Sequence, residues 1–555
     1  MRPDSSFETS VLTAADDVLA LEQDWSRLWN ESPRREIFTS FPWARAFLKT
    51  YQGAGTPLVV VAKRDGAPSV ILPMFLQDRV LHFIGVPHSD YCDILADSRT
   101  GLEELAAVVQ ALRSTRSPWQ QCVFRNLSDH SRLLHMFCQP GFRPAFAHAL
   151  RPSHKCPAII SGLGEDVFGQ LLRKDNPRRC EKRLQERGPL DFSHIESRDE
   201  IQSCLGDFFD QHMLRRTVAT NSGGMFTREL CRSFFHNLVA EFDPAGALRF
   251  AVLRVDGRPI AYHFGFELDD RYIWYVPTFD VDRWDDRPGL VMLRKLFEYA
   301  SQRHLRELDF TVGDEDYKQR FANHISVNHD LTLYRQGGAG LLQRGKDIAK
   351  FSPLRAAWRR LLGPRRGAQR MTLRLPPKER VVLLRGDLIP EQRRSGPEAP
   401  PPRLAKVPLS ELARRWLTDS SSIAPILCQK RLNAGHVAWA IQGGDAARIV
   451  AWVATAEQLG SSGEMAGRIV ETLPAPSWIV YDFSSSPRRV TETETIWLLR
   501  SVLMKATTET CGVYLLSAQD NEALLRAATA AGYRAQAIWS IRRRRSLPST
   551  GRHSP

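Results

Sequence analysis

The densest run of side chains able to do chemistry lies from residue 309 to residue 318, where Asp309, Glu315, Tyr317 and Lys318 supply two carboxyls, a phenol and an ammonium. Such a set can remove a proton, return one and hold an anion. Asp309 falls between Leu308 and Phe310 in a strand pattern. A buried carboxyl there needs a partner or titrates above its ordinary range, so Asp309 reads either as a structural anchor, for a cation such as Arg320, or as a general base. Glu315 lies in a polar loop and is a third acid–base candidate. Upstream, Pro288-Gly289 opens a helical pattern from Leu290 to Arg303. The amides of Gly289, Leu290 and Val291, with Arg287 beside them, would form an anion-binding helix mouth; Pro288 equally suits a plain helix start. His263 alternates with Ala261 and Gly265 on one strand face, a placement more often packed than reactive.

The elements that must position these residues recur along the chain. Three stretches share one order: an apolar strand, a tight turn, a second strand, and later a helix feeding another strand. In the first, Leu58 to Ala62 precedes Asp65-Gly66 and Ser69 to Leu76. In the second, Phe250 to Val255 precedes Asp256-Gly257, Ile260 to Leu268, Asp269-Asp270 and Tyr272 to Val276, and a strand from Leu305 to Thr311 follows the helix. In the third, His436 to Ile441 precedes Gly443-Gly444-Asp445 and Arg448 to Ala454. Asp-Gly between apolar runs signals a hairpin because Gly accepts the positive φ of the turn. The pattern predicts a mixed α/β fold with largely antiparallel sheets flanked by helices.

A chain of 555 residues is too long for one ordinary core. The nine cysteines have no Cys-x-x-Cys pair, which fits reduced thiols better than a disulfide framework or a zinc site. No stretch reaches the ~18 apolar residues of a membrane span, and Met1 to Ser6 lacks a signal peptide's apolar run. The expectation is a cytoplasmic protein, or one peripheral at the inner membrane surface. The net charge of +14 is concentrated in runs such as Arg178-Arg179 with Lys182-Arg183, Arg359-Arg360 and Arg542 to Arg545. Solvated faces account for most such runs, and attraction of a phosphate-rich ligand is the alternative. The basic amphipathic pattern from Leu341 to Leu362 suits helix packing better than a membrane surface.

Across Leu12 to Tyr334 the chain resembles the GNAT-type acyltransferases associated with cellulose and exopolysaccharide biosynthesis, the CelD-like family. Phe41-Pro42-Trp43, Asp90-Tyr91-Cys92-Asp93, Asp256-Gly257, Phe279-Asp280 and Pro288-Gly289 carry the resemblance weakly; the string from Asp309 through Gly313-Asp314-Glu315-Asp316-Tyr317-Lys318 to Phe321 carries it specifically. It implies tandem GNAT-like domains as in Fem-type transferases, with acetyl-CoA or another acyl-CoA as donor substrate. Arg287, Gly289, Leu290 and Val291 would hold the CoA diphosphate and a backbone amide on Tyr272 to Val276 would polarise the thioester. Tyr317 would protonate the thiolate, Asp309 or Glu315 would take the acceptor's proton, and Lys318 and His263 would contact the acceptor. No metal is implied.

The expected organisation is a non-catalytic GNAT-like domain at 1–155, the acyltransferase domain at 156–336, a basic helix and Pro-rich linker at 337–402, a degenerate GNAT-like domain at 403–546 and a tail at 547–555. In the degenerate domain Arg489-Val490-Thr491-Glu492-Thr493-Glu494 replaces a glycine-rich phosphate loop, and its carboxylates would repel a diphosphate. The expected activity is N- or O-acyl transfer to a sugar, amino sugar or polysaccharide precursor, with a small-molecule or saccharide acceptor. Peripheral association with a membrane or a polysaccharide synthase is a further expectation, and no specific nucleic acid is expected. An aminoacyl-tRNA-dependent transferase lacks its heptad-patterned helical arm here. A non-catalytic scaffold is the remaining alternative.

Overall fold

The computed structural model describes residues 7–335, apart from 116, 141, 143–145 and 163, and then 379–386, 404–418, 423–443, 446–455, 457–459, 477–485, 492–508, 512–518 and 521–541. The 341–362 helix pattern, the Pro-rich segment at 393–402, the Arg542 to Arg545 run and the tail at 547–555 lie outside the described residues.

The chain divides into two compact units, one of residues 1–212 with 225–365 and one of residues 213–224 with 366–555. In the first unit the strands are β1 Phe7–Leu12, β2 Thr56–Arg64, β3 Ala67–Gln77, β4 Val80–Phe83, β5 Leu95–Ala96, β6 Gln121–Leu127 and β7 Ala147–Ile160. They continue with β8 Leu190–Ile195, β9 Leu248–Val255, β10 Arg258–Leu268, β11 Arg271–Phe279, β12 Glu307–Asp309 and β13 His324–Tyr334. All thirteen join one sheet in the order β1-β2-β3-β4-β6-β13-β7-β12-β11-β10-β9-β8, with β5 on β3.

The two expected Asp-Gly hairpins form as their turns dictate. Asp65 and Gly66 adopt φ of 53° and 81°, and Asp256 and Gly257 adopt 52° and 73°, the left-handed pair that a two-residue hairpin turn needs. The boundary expected at 155/156 falls inside β7. That strand serves both halves of the sheet: β13 runs antiparallel along it from Ala147 to Ala158, and β12 pairs with Ala158 to Ile160. A strand from the end of the second half thereby inserts between β6 and β7 of the first.

Each half has its own core. One lies over β2, β3, β4 and β6, with Val60, Leu72, Phe83 and Phe124 among its members. The other packs helix Pro288–Gln302 through Val291, Leu296 and Phe297 onto Tyr272, Trp274, Leu308 and Phe310. Phe38 and Trp43 reach across from the first half, their rings 5.4 and 5.8 Å from Tyr275 of the second. Trp43, with Phe41 and Pro42 at the start of helix Phe41–Thr50, is fully buried in this contact.

The second unit has its own seven-stranded sheet, β14 Glu379–Gly386, β15 Leu404–Lys406, β16 Val437–Gly443, β17 Ala446–Thr455, β18 Ser477–Ser485, β19 Gly512–Ala518 and β20 Tyr533–Ile541, in the order β15-β16-β17-β18-β19-β14-β20. Among the described residues no helix is long and apolar enough to cross a membrane.

Candidate active site

Strands β11 and β12 run parallel over only three residue pairs, Arg271 with Glu307 through Ile273 with Asp309. Beyond them β11 continues to Phe279 while β12 has ended. The strand expected from Leu305 to Thr311 is shorter, Glu307–Asp309, and past it the Thr311 hydroxyl donates to the Trp274 carbonyl at 3.4 Å. Next to the last pair β11 carries a bulge. Between Phe264 and Phe266 of β10 the pairing advances from Val276 to Ile273, so Trp274 and Tyr275 oppose the single residue Gly265. A bulge turns backbone groups out of the ladder and toward an opening. This is the stretch, Tyr272 to Val276, where an amide facing a thioester was expected.

The sheet's alternation assigns the flanking side chains to two faces. On the face of helix Pro288–Gln302, Trp274 Nε1 donates to Tyr317 Oη at 3.1 Å. Tyr317 is half-buried and packs on the same core as Trp274 and Phe310. His263 is on this face too, but it is 0% exposed, its ring stacked on Trp274 with centroids 4.3 Å apart. Its Nδ1 meets the Tyr272 hydroxyl at 3.3 Å, and burial drives it well below the ordinary histidine range. His263 is thus a neutral core residue; with no surface in contact with solvent it cannot touch an acceptor in this conformation. Gly265 makes room for it: a Cβ there would lie 2.1 Å from His263 Cε1.

The helix mouth differs from expectation in detail. Arg287 takes a left-handed conformation, φ 54°, and its carbonyl accepts from the amides of Leu290 at 3.0 Å and Val291 at 3.4 Å. Those two amides are therefore already paired. Pro288 has no N–H, which leaves the Gly289 amide as the donor without a partner among the described residues. The buried Asp286, one residue before Arg287, is approached by Arg183 at 3.6 Å, Arg187 at 3.6 Å and Arg283 at 3.8 Å. Three guanidiniums surround this one carboxylate, with the exposed Arg287 alongside and Asp282 and Asp285 in the same turn. Arg183 belongs to the basic helix Asp175–Gln185; Arg187 and Arg283 were not singled out from the sequence.

On the opposite face Asp309 is 2% exposed. Its Oδ1 accepts from the Tyr91 hydroxyl at 2.8 Å and from the Thr311 amide at 2.7 Å. Its Oδ2 is buried without a hydrogen bond, 3.9 Å from Arg34 Nη2 and 3.8 Å from Arg271 Nη1. The anchor anticipated in Arg320 is supplied instead by these two arginines, brought there by the fold; Arg320 is exposed. Burial outweighs both cations and pushes the Asp309 carboxyl up to about 6. Arg34 also grips Glu307 with two bonds, at 2.7 and 3.1 Å. A cavity of about 60 Å³ opens here, with Glu36, Tyr91, Cys156 and Asp309 in its wall. Glu315 is exposed and bound to Lys318 at 3.2 Å, while the Lys318 ammonium is buried and donates to the Val312 carbonyl at 2.8 Å. Lys318 thus ties down the loop it follows.

Residues 173–319 match the family model described as "Acetyltransferase (GNAT) domain". The chain accordingly carries a GNAT-type acetyltransferase domain, and the enzyme class this defines is an acyltransferase. None of the curated proteins gives a significant match. Among solved structures, the chain is similar to a conserved protein of unknown function from Bacteroides thetaiotaomicron, at 14% identity and TM-score 0.41 over 59% of this chain and 100% of that one. It is also similar to FemX, at 10% identity and TM-score 0.40 over 59% and 97%. A tandem GNAT protein from the clavulanic acid biosynthesis pathway is similar at 12% identity and TM-score 0.34 over 60% and 100%. Likenesses at this level carry no argument about substrate.

Proposed function

We propose that the second half of the first unit transfers an acyl group from acetyl-CoA or another acyl-CoA to an amine or hydroxyl of a sugar, amino sugar or polysaccharide precursor. The observation that carries this reading is the end of the β11–β12 pairing at Ile273 and Asp309, flanked by a phenol on one face and, on the other, a buried carboxylate oxygen without a hydrogen bond. The saccharide acceptor is supported by the CelD-like string from Asp309 to Phe321 and by the polar cavity beside Asp309.

In this reading the donor's diphosphate meets the Gly289 amide and the arginines about Asp286, and its thioester enters beside the bulge. The acceptor's nitrogen or oxygen attacks the carbonyl carbon. A new bond to carbon forms, the carbon–sulfur bond breaks, and the acceptor's proton passes to Asp309 Oδ2. Tyr317 gives its proton to the departing thiolate and recovers one from solvent. A backbone amide freed by the bulge stabilises the charge that develops on the carbonyl oxygen.

Thermal unfolding with increasing acetyl-CoA tests the donor. Binding to the folded state raises the melting temperature with the logarithm of concentration once the site is saturated. A melting temperature indifferent to acetyl-CoA and to longer acyl-CoAs would remove the donor and favour a scaffold. Thiol release in the presence of glucosamine, N-acetylglucosamine or glucose then tests the acceptor class.

A further inference from the structure

The loop ahead of β5 belongs to the first half of the sheet, yet it ends in the second half's reaction centre. Three consecutive carbonyls of this loop are held by side chains from three strands. Tyr275 Oη on β11 donates to His88 O at 2.7 Å, Asn126 Nδ2 on β6 to Ser89 O at 2.9 Å, and Asn328 Nδ2 on β13 to Asp90 O at 2.9 Å. Such tethering fixes where the next side chains point. Tyr91 donates to Asp309 Oδ1, the oxygen that the Thr311 amide also holds, while the Thr311 hydroxyl donates to the Trp274 carbonyl at 3.4 Å. Thr311 adopts φ 55°, a costly conformation for a β-branched residue, and in it the amide reaches back to Asp309. Asp93 of the same motif has a purely structural task, accepting from Ser131 Oγ and the amides of Arg132 and Leu133 at the start of helix Arg132–Cys138.

Resting on the transfer site proposed above, we infer that the first half completes the reaction centre of the second: Tyr91 orients the Asp309 carboxylate, and Asp90, the residue before it, is the second carboxyl of the same centre. Tyr91 is a positioning residue. Its bond engages Oδ1 and leaves Oδ2, which has no hydrogen bond, as the oxygen to take an acceptor's proton. Asp90 acts on Asp309 by charge: two neighbouring carboxyls resist ionising together. Burial and the nearby Asp309 and Glu315 push Asp90 up to about 7, against the pull of Thr311 and Lys318. The other charged groups facing Asp309 are Arg34 and Glu36 from the loop before helix Phe41–Thr50, Arg271 from β11 and Glu307 from β12. They are the same in both variants below.

The two residues act on Asp309 with opposite signs, and this separates the inference from a merely structural role. Tyr91→Phe removes a donor to the carboxylate and raises the pH at which Asp309 ionises, while Asp90→Asn removes a neighbouring negative charge and lowers it. With the full chain and acetyl-CoA, thiol release to water as the probe acceptor should show the acidic limb of kcat/KM moving up by about half to one pH unit in Tyr91→Phe and down by a similar amount in Asp90→Asn. Infrared titration of the protonated-carboxyl band should show the same opposed shifts without turnover. Shifts of the same sign, or none, in variants that unfold cooperatively and no less stably than wild type overturn the inference. If wild-type enzyme releases no thiol while the infrared midpoints still move oppositely, the transfer reading fails and the two-half carboxyl centre stands.

Discussion

At the bulge of β11, Trp274 and Tyr275 stand between a tyrosine hydroxyl on one face of the sheet and the Asp309 carboxyl on the other. The sheet of the second unit has the same backbone plan, with β18 parallel to β19 over four pairs from Ser477 with Gly512 to Val480 with Leu515. It also has a bulge: Ala451 pairs with Phe483 and Trp452 with Tyr481, so Asp482 is the additional residue, at φ 45°. Here the contents differ. Asp482 is bound by Arg431, a 4% exposed side chain whose guanidinium lies 5.1 Å from the Trp452 ring and 5.0 Å from Tyr481. An ion pair and a cation over two rings occupy the bulge that in the first unit lies next to the end of the β11–β12 pairing. The backbone plan is therefore reusable, and chemistry resides in what the bulge faces.

The largest expected effect that tests this contrast comes from Gly289→Asp. A carboxylate at the helix mouth opposes the diphosphate, and its Cβ would already press on Phe279 Cδ1 at 3.2 Å. Donor affinity should fall on the order of a hundredfold or more, read as loss of the acetyl-CoA-induced rise in melting temperature. An undiminished rise would show that the donor does not use this helix. Next in size is Tyr317→Phe. It removes the proton offered to the thiolate but not the ring packed on Phe310, so turnover should drop about a hundredfold with donor affinity intact. Turnover equal to wild type would take Tyr317 out of the chemistry.

A smaller effect concerns stability. Asp90 rises from 3.8 to about 7 in the folded state, with burial as the leading cause. The folded state then binds more protons than the unfolded one between these values, so the carboxyl costs stability progressively as pH climbs from 3.8 to about 7. Asp90→Asn should raise the melting temperature by a few degrees at pH 8 and leave it nearly unchanged at pH 4. A variant that melts identically at both would mean that Asp90 is more solvated than its surroundings imply.

What the sequence made legible was local. Asp-Gly turns announced their hairpins because the left-handed conformation is written into the residues that adopt it, and the helix from Pro288 was announced by its apolar spacing. The string around Tyr317 was legible as a motif. Unreadable were the contacts that cross the chain: Tyr91 and Asp309 lie 218 positions apart, and Arg34 and Glu307 lie 273 apart. No periodicity links such pairs, so Arg320, eleven positions away, was the cation the sequence suggested for Asp309. The same reason hides the strand exchange. A boundary at 155/156 is sensible for two sheets in series, but the pairing of β13 with β6 and β7, and of β12 with β7, joins them.

The smallest expected effect is the most informative about the second unit. Glu492 and Glu494 open helix Glu492–Thr508, in the place of a phosphate loop whose residues 489–491 lie outside the described region. If their charge alone bars a diphosphate, Glu492→Ser with Glu494→Gly should create a second acyl-CoA site. The filled bulge argues otherwise, because a donor needs room for its thioester as well as its phosphates, and the Arg431–Asp482 pair and its two rings take up that room. Calorimetric titration with acetyl-CoA should return the same stoichiometry, one per chain, for wild type and the double variant. Two per chain in the variant would mean that charge at the helix mouth, rather than packing at the bulge, separates the two regions.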